Sequence, residues 1–359
     1  MKKKIEKKHT YISIIYNYRY IHMDNYDIDT SFDTDTNNND LSLHFEDPHE
    51  EPSFSSDGCK IFDKVNFIKI YRSDINDNFL NQFSTRSFQT VTLHYCPFIT
   101  KKGLDMLLSI NNTKYLAIDS CTQLELEDIY LSIEKLKNLI LLHIGDFGVN
   151  IMQKICNSIA VSENNICDLR LDNINDMCMQ HIAQCVHLVT LNIDKSPQIT
   201  FKGYEYLKQM KLHDLVITES NISSRIFYYM SHIRDLCFDN ITIYDNDLKY
   251  IQNCKFFALE NAIFMSIDCL RHLDKVPVID FSFCNNLTDK HLKYMNTLNV
   301  RNKITFADCC YITSRGLVFI GKWKKIRTVG CCNIGDINFQ GTPTEVSDNV
   351  MQHYIKSYM

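Results

Sequence analysis

Only 10 glycines and 6 prolines stand among the 359 residues, and Trp323 is the single tryptophan. So little glycine argues against a nucleotide-binding enzyme built on Gly-rich loops. The scarcity of both residues argues against an all-β protein made of many tight turns. The patterns Gly-x-x-x-x-Gly-Lys-Ser/Thr, Gly-x-Ser-x-Gly and His-Glu-x-x-His are absent, which removes the common signatures of phosphate, acyl-transfer and zinc chemistry. No run of about 18 apolar residues occurs, so no membrane span is expected. A secretory leader needs an apolar stretch of about 7–15 residues after its lysines, and Tyr11–Tyr20 is interrupted by Asn17, Tyr18 and Arg19. The 15 cysteines are therefore read as thiols of a reducing compartment, cytoplasmic or nuclear, rather than as a disulfide framework.

What is present is enough apolar material for a sizeable core: 45% hydrophobic and 11% aromatic. The net charge of -5 conceals a segregation. Residues 1–23 carry six basic residues (Lys2, Lys3, Lys4, Lys7, Lys8, Arg19) against Glu6, and residues 24–57 carry eleven acids and no Lys or Arg. Residues 1–57 read as a disordered low-complexity tail, because Asp24–Asp40 has too little apolar surface to offset the entropy of ordering. Residues 58–359 hold 32 basic and 31 acidic residues, a balance that gives nucleic-acid binding little electrostatic support.

From about Val65 one unit recurs: an apolar-x-apolar strand, often a Cys three residues on, then Ile/Leu-Thr and a helix opening with Gly-Leu or an equivalent. Val91–Leu107, Leu191–Leu207, Ile279–Met295 and Ile304–Ile320 are the clearest copies. The second apolar residue of each strand gives the anchors Ile70, Leu93, Ile118, Ile144, Leu171, Ile193, Ile217, Phe238, Leu259, Phe281, Phe306 and, weakly, Thr328. Their intervals run from 21 to 27 residues, inside the roughly 20–29 range of leucine-rich repeats and outside the roughly 33–34 of ankyrin and tetratricopeptide arrays. Such strands are too short to stand alone and must stack in parallel. Thr100, Thr200, Thr288 and Thr313 fall where a helix N-cap is wanted. The expected fold is an α/β solenoid, a horseshoe of about 11–12 repeats over 58–341, with the parallel sheet concave and the helices convex. A capping helix over 342–359 is expected from Thr342-Pro343-Thr344-Glu345 and the spacing of Val346, Val350, Tyr354 and Tyr358.

The pattern Cys-x-x-Ile-Thr-x-x-Gly-Leu resembles the cysteine-containing leucine-rich repeats of the F-box/leucine-rich-repeat proteins and of the antagonist of the mitotic exit network. The resemblance covers roughly residues 65–340 and is weaker in the middle. It implies a non-enzymatic protein-binding subunit linked to Skp–cullin ubiquitin ligases and ubiquitin-dependent catabolism. The F-box itself is not found before Val65, so a link of this kind would run through a very divergent box or without one, as in the mitotic-exit antagonist. The leucine-rich-repeat factors of mitochondrial ATP synthase and respiratory-complex assembly look similar too, and the basic residues 1–23 are compatible with import.

Two Asp-x-Asp-x-Thr stretches, at Asp27 and Asp33, match a phosphatase box but lack the apolar strand that chemistry needs, and read as part of the tail. Cys309-Cys310 and Cys331-Cys332 suggest a soft metal site. Because they lie 22 residues apart, Cys309 and Cys331 instead fall at one repeat position with Cys96, Cys121 and Cys284, a structural ladder of buried thiols. Adjacent rungs could bring Cys309 and Cys331 within disulfide reach, which a reducing compartment disfavours. No cofactor and no metal are expected. His94 and His143 are expected to point outward on the concave face.

That face is the candidate interaction surface, since residues flanking the anchors alternate away from the core. From Leu171 to Phe281, eight of eighteen such positions are acidic: Asp168, Asp172, Asp194, Asp214, Asp235, Asp239, Glu260 and Asp280, with Arg170 the one base. The next two repeats reverse sign with Lys303, Lys325 and Arg327. The reading is an acidic strip with a basic end, suited to a protein partner presenting a basic segment and borne by a monomer. A solvated face of average composition would carry about four acids in eighteen, and a one-residue register error would dissolve the strip.

Overall fold

A five-residue strand cannot hold itself together, so each repeat borrows its hydrogen bonds from its neighbours. In the computed structural model the described residues are 41–45, 65–72, 74–145, 147–161, 165–220, 222–295, 303–321, 323, 325–334 and 337–340, all within one unit, Asn39–Met359. They form seventeen strands. The long sheet runs β1 (Leu41–Phe45), β2 (Val65–Tyr71), β3 (Thr90–His94), β4 (Tyr115–Asp119), β5 (Leu141–Ile144), β6 (Asp168–Asp172), β7 (Thr190–Asp194) and β8 (Asp214–Ile217). It continues through β10 (Asp235–Asp239), β12 (Phe256–Glu260), β14 (Val278–Ser282), β15 (Lys303–Ala307), β16 (Lys325–Val329) and β17 (Ile337–Gln340). All pairings are parallel except β16 with β17.

The twelve anchors lie in unbroken register, from Ile70 beside Leu93 through Ile217 beside Phe238 to Phe306 beside Thr328. Together with the residues two before them they make two columns that are at most 2% exposed. One slipped rung would turn its whole apolar set outward, so this double column enforces the register.

The outer wall changes character along the sheet. The longest interval, Ile144 to Leu171, holds the longest helix, Val149–Val161. The three short repeats from Ile217 to Phe281 carry 3-10 helices at Ser224–Tyr229, Asp247–Ile251 and Ile267–Lys275. A 3-10 helix rises about 2.0 Å per residue against about 1.5 Å for an α-helix, but length alone does not choose between them: the equally short intervals Leu171–Ile193 and Phe306–Thr328 carry α-helices at Asp176–Ile182 and Ser314–Phe319. The same repeats add a second, three-stranded sheet from β9 (Ile222–Ser223), β11 (Ile241–Ile243) and β13 (Ile263–Phe264).

One boundary differs from the sequence reading. Leu41–Phe45, inside the segment read as tail, is β1 and pairs in parallel with β2; its Leu-x-Leu-x-Phe alternation carries the strand period in miniature. At the other end the antiparallel β17 closes the sheet. The cap at 342–359 and the Asp-x-Asp-x-Thr stretches lie outside the described residues. Among the described residues no helix is long and apolar enough to cross a membrane.

Candidate interaction surface

Among the described residues, eleven of the twelve anchor-bearing strands are followed by the same backbone event. The residue two after the anchor has positive φ at Arg72, Tyr95, Ser120, Asn173, Lys195, Glu219, Asn240, Asn261, Phe283, Asp308 and Gly330. This left-handed step lets the amide reach the next rung: Tyr95 N–H donates to Asp119 O at 3.1 Å, Asn240 N–H to Glu260 O at 2.9 Å and Asp308 N–H to Val329 O at 2.9 Å. The step turns the chain inward, and the following residue enters the core. There sit Cys96, Cys121, Cys284, Cys309 and Cys331, all at most 1% exposed. Cys96 Sγ donates to Ile70 O at 3.4 Å, Cys284 Sγ to Ser282 O at 3.4 Å and Cys309 Sγ to Ala307 O at 3.4 Å. Ser196 and Ser220 fill the same position in middle rungs and donate to Asp194 O at 2.6 Å and Thr218 O at 2.7 Å. The Cys pattern alone did not reveal these hydroxyls; a shared offset of three from the anchor would have.

The helix that follows is tied to the one before it. Asp77, Asp176 and Asp289, each in the first turn of its helix, accept from the amide of the next helix's N-cap, Thr100 (3.0 Å), Thr200 (2.7 Å) and Thr313 (2.9 Å). They also accept from the three hydroxyls, at 2.5, 2.6 and 2.7 Å. Gly103, Gly203 and Gly316 stand three residues past those threonines because a Cβ there would fall on the carboxylate. This interlock explains why the repeat reads Thr-x-x-Gly.

On the outward face the acids are not equally available. Asp172, Asp194 and Asp214 are only 6%, 4% and 7% exposed, while Asp168, Asp235, Asp239, Glu260 and Asp280 are partly exposed. The picture of a uniformly solvated strip is corrected accordingly. Asp172 and Asp194 are register neighbours, and Lys195 Nζ lies 4.0 and 3.8 Å from them. Burial works against the Lys195 ammonium, yet Asp194 and Asp172 outweigh it and push its pKa up. Thr218 Oγ1 donates to Asp194 at 2.5 Å, and Asn261 Nδ2 to Asp239 at 2.7 Å. Lys195 escaped the sequence count because it occupies the left-handed step rather than a strand position.

Three carboxyls keep strain of their own. Asp214 and Asp235 face each other across adjacent rungs, and burial together with Asp214 pushes Asp235 up to about 6 despite Arg234 and His213. Burial raises Asp168, partly offset by Arg170 at 3.6 Å. Burial pushes Asp280 up to about 6, against the pull of Lys303, Ser282 and Arg327. In the basic end Lys303 and Lys325 are register neighbours. Burial lowers the Lys303 pKa, with Lys325 and Arg327 adding to it and Asp280 opposing.

The acid column begins earlier than the counted rungs. Asp119 accepts from His94 Nε2 at 2.7 Å; burial opposes its ionisation, but His94, Ser120 and His143 prevail and hold it at about 2. His143 is pushed down to about 4 by burial and by Arg170. Among the described residues no group of three or more His, Cys, Asp or Glu side chains is placed to hold a metal ion.

Neither a family model nor a curated protein matches this sequence. Among solved structures, the complex of TLR13 with ssRNA13 aligns at a TM-score of 0.56 and 13% identity, covering 81% of this chain and 50% of that one. This chain has the leucine-rich-repeat fold. The solenoid also aligns with the yeast Rad7 and Elc1 complex at a TM-score of 0.45 and 16% identity, covering 77% of this chain and 82% of that one. An internalin (inlF) of Listeria monocytogenes gives 0.47 and 15%, covering 81% and 79%.

Proposed function

We propose that this leucine-rich-repeat solenoid is a protein-recognition subunit that receives a basic segment on the outward face of its long sheet. One observation carries the reading: Asp235 sits on the rung beside Asp214, and burial together with that neighbouring carboxylate opposes the ionisation of Asp235. A lysine or arginine placed between them relieves that repulsion, whereas a phosphate backbone adds to it. Asp168 and Asp280, also raised by burial, extend the preference along the strip, and Lys303, Lys325 and Arg327 set the polarity in which a partner lies.

The experiment is a binding titration of the full chain against peptides rich in Lys/Arg and against charge-reversed Glu/Asp peptides. Binding is expected for the basic set alone, weakening with salt, and is expected to be lost in the Asp214→Lys/Asp235→Lys double variant. Indifference to peptide charge sinks the reading.

The cellular role that fits the resemblance of the repeats is substrate recognition or regulation for a Skp–cullin ubiquitin ligase in the cytoplasm or nucleus. Affinity purification with mass spectrometry tests it through Skp and cullin peptides. The basic residues 1–23 favour one alternative, a mitochondrial assembly factor, which predicts respiratory-complex or ATP synthase subunits in the same experiment and a mitochondrial location.

A further inference from the structure

Cys310 and Cys332 each stand four residues past the anchors of consecutive rungs, Phe306 and Thr328, which are register partners. Neighbouring parallel strands run about 4.8 Å apart, inside the Cα separation of about 4.4–6.8 Å that a disulfide spans. Their sulfurs lie 2.8 Å apart with nothing between them. Two sulfurs sharing a tetrahedral zinc ion stand farther apart than this, because each metal–sulfur bond is about 2.3 Å long. Cys332 is exposed and Cys310 partly so, whereas Cys309 and Cys331, one residue earlier, are buried and donate to main-chain carbonyls. Solvent therefore reaches the outer pair and not the inner one that the sequence had suggested.

We propose that Cys310 and Cys332 form a reversible thiol–disulfide site that fastens the β15 and β16 rungs when a small-molecule disulfide such as oxidised glutathione is available. The exposed Cys332 thiolate attacks one sulfur of the oxidant and expels the first small thiolate, giving a mixed disulfide. Cys310, already in contact, attacks the Cys332 sulfur and expels the second. Two protein thiols are oxidised to one disulfide, one small disulfide is reduced to two thiols, and the two protein protons leave with them. The Cys332 thiol is pushed up by its hydrogen bond to, and the charge of, Cys310, so attack accelerates as pH rises.

The test incubates the reduced full chain with oxidised glutathione and maps linkages by non-reducing digestion and mass spectrometry. The expected product is a single Cys310–Cys332 cross-link, reversed by reductant, with melting raised by roughly 5 °C as the loop between rungs is closed. Cys310→Ser should stop at a glutathione adduct on Cys332. The double variant Cys310→Ser/Cys332→Ser, altered only at the outward thiols, should keep the parent's reduced-state melting and lose the response. A persistent adduct on the parent chain, or cross-links that join other cysteines or two chains, overturns the proposal.

Discussion

At the scale of residues, two carboxylates on one face respond to pH in opposite senses. Asp280 has a folded pKa of about 6 against 3.8. Its contribution to stability is therefore complete below about pH 3.8 and lost as pH rises through about 6, a swing of at most about 3 kcal/mol. Asp280→Asn is expected to stabilise the fold by about 1–3 kcal/mol at pH 7.5 and not at pH 4. Urea midpoints at the two pH values decide it, and equal shifts at both refute it. Asp119, held at about 2, contributes stability that is present above about pH 3.8 and lost as pH falls through about 2. Asp119→Asn should cost about 1–2 kcal/mol at neutral pH, discounted for partial exposure. A third residue tests the backbone: Glu219 holds φ at 45° while exposed. Releasing a left-handed non-glycine residue gains about 1–2 kcal/mol, and glycine's freedom in the unfolded chain returns about half of that. Glu219→Gly is thus expected to stabilise by about 0.5–1 kcal/mol, seen as a higher melting temperature.

At the scale of elements, the Asp–Thr–Gly interlock makes each helix start depend on its predecessor. In Gly203→Ala the new methyl meets Asp176, which must give up its bonds to Thr200, a loss of about 1–3 kcal/mol. The same substitution on an Asp176→Ala background should cost much less, because the clashing group is gone. A double-mutant cycle in chemical denaturation measures the difference, and strict additivity rejects the interlock. The N-cap roles of Thr100, Thr200 and Thr313 were legible because a hydroxyl before a helical period is a local signal. Their aspartate partners, 23 or 24 residues away, were not, since nothing local links the two. The 3-10 wall between Ile217 and Phe281 was likewise missed: those repeats read apolar-polar-apolar like the others, and equally short repeats elsewhere carry α-helices, so length gave no signal.

At the scale of the molecule, each rung contacts mainly its neighbours, so stability is a sum of rungs and interfaces. Phe281 is fully buried, stacked on Phe306 with ring centroids 6.0 Å apart. Phe281→Ala should cost about 3–5 kcal/mol and loosen β14 to β16 while β3 to β7 stay protected in hydrogen exchange. Uniform loss of protection contradicts the one-dimensional picture.

By itself the sequence determined the stacking: a period near 23 residues, a parallel sheet and twelve anchors, each of which found its register partner. Apolar burial is a property of residue type and spacing, and one stacking satisfies all twelve at once. The tertiary structure alone decided which polar groups are still available. Lys195 stands between two of the eight acids, Asp235 is raised by burial and by Asp214 on the adjacent rung, and the exposed Cys332 meets Cys310 across the rungs. Charge and thiol chemistry depend on distance and solvent access, and these are set by neighbours a full repeat away in the chain.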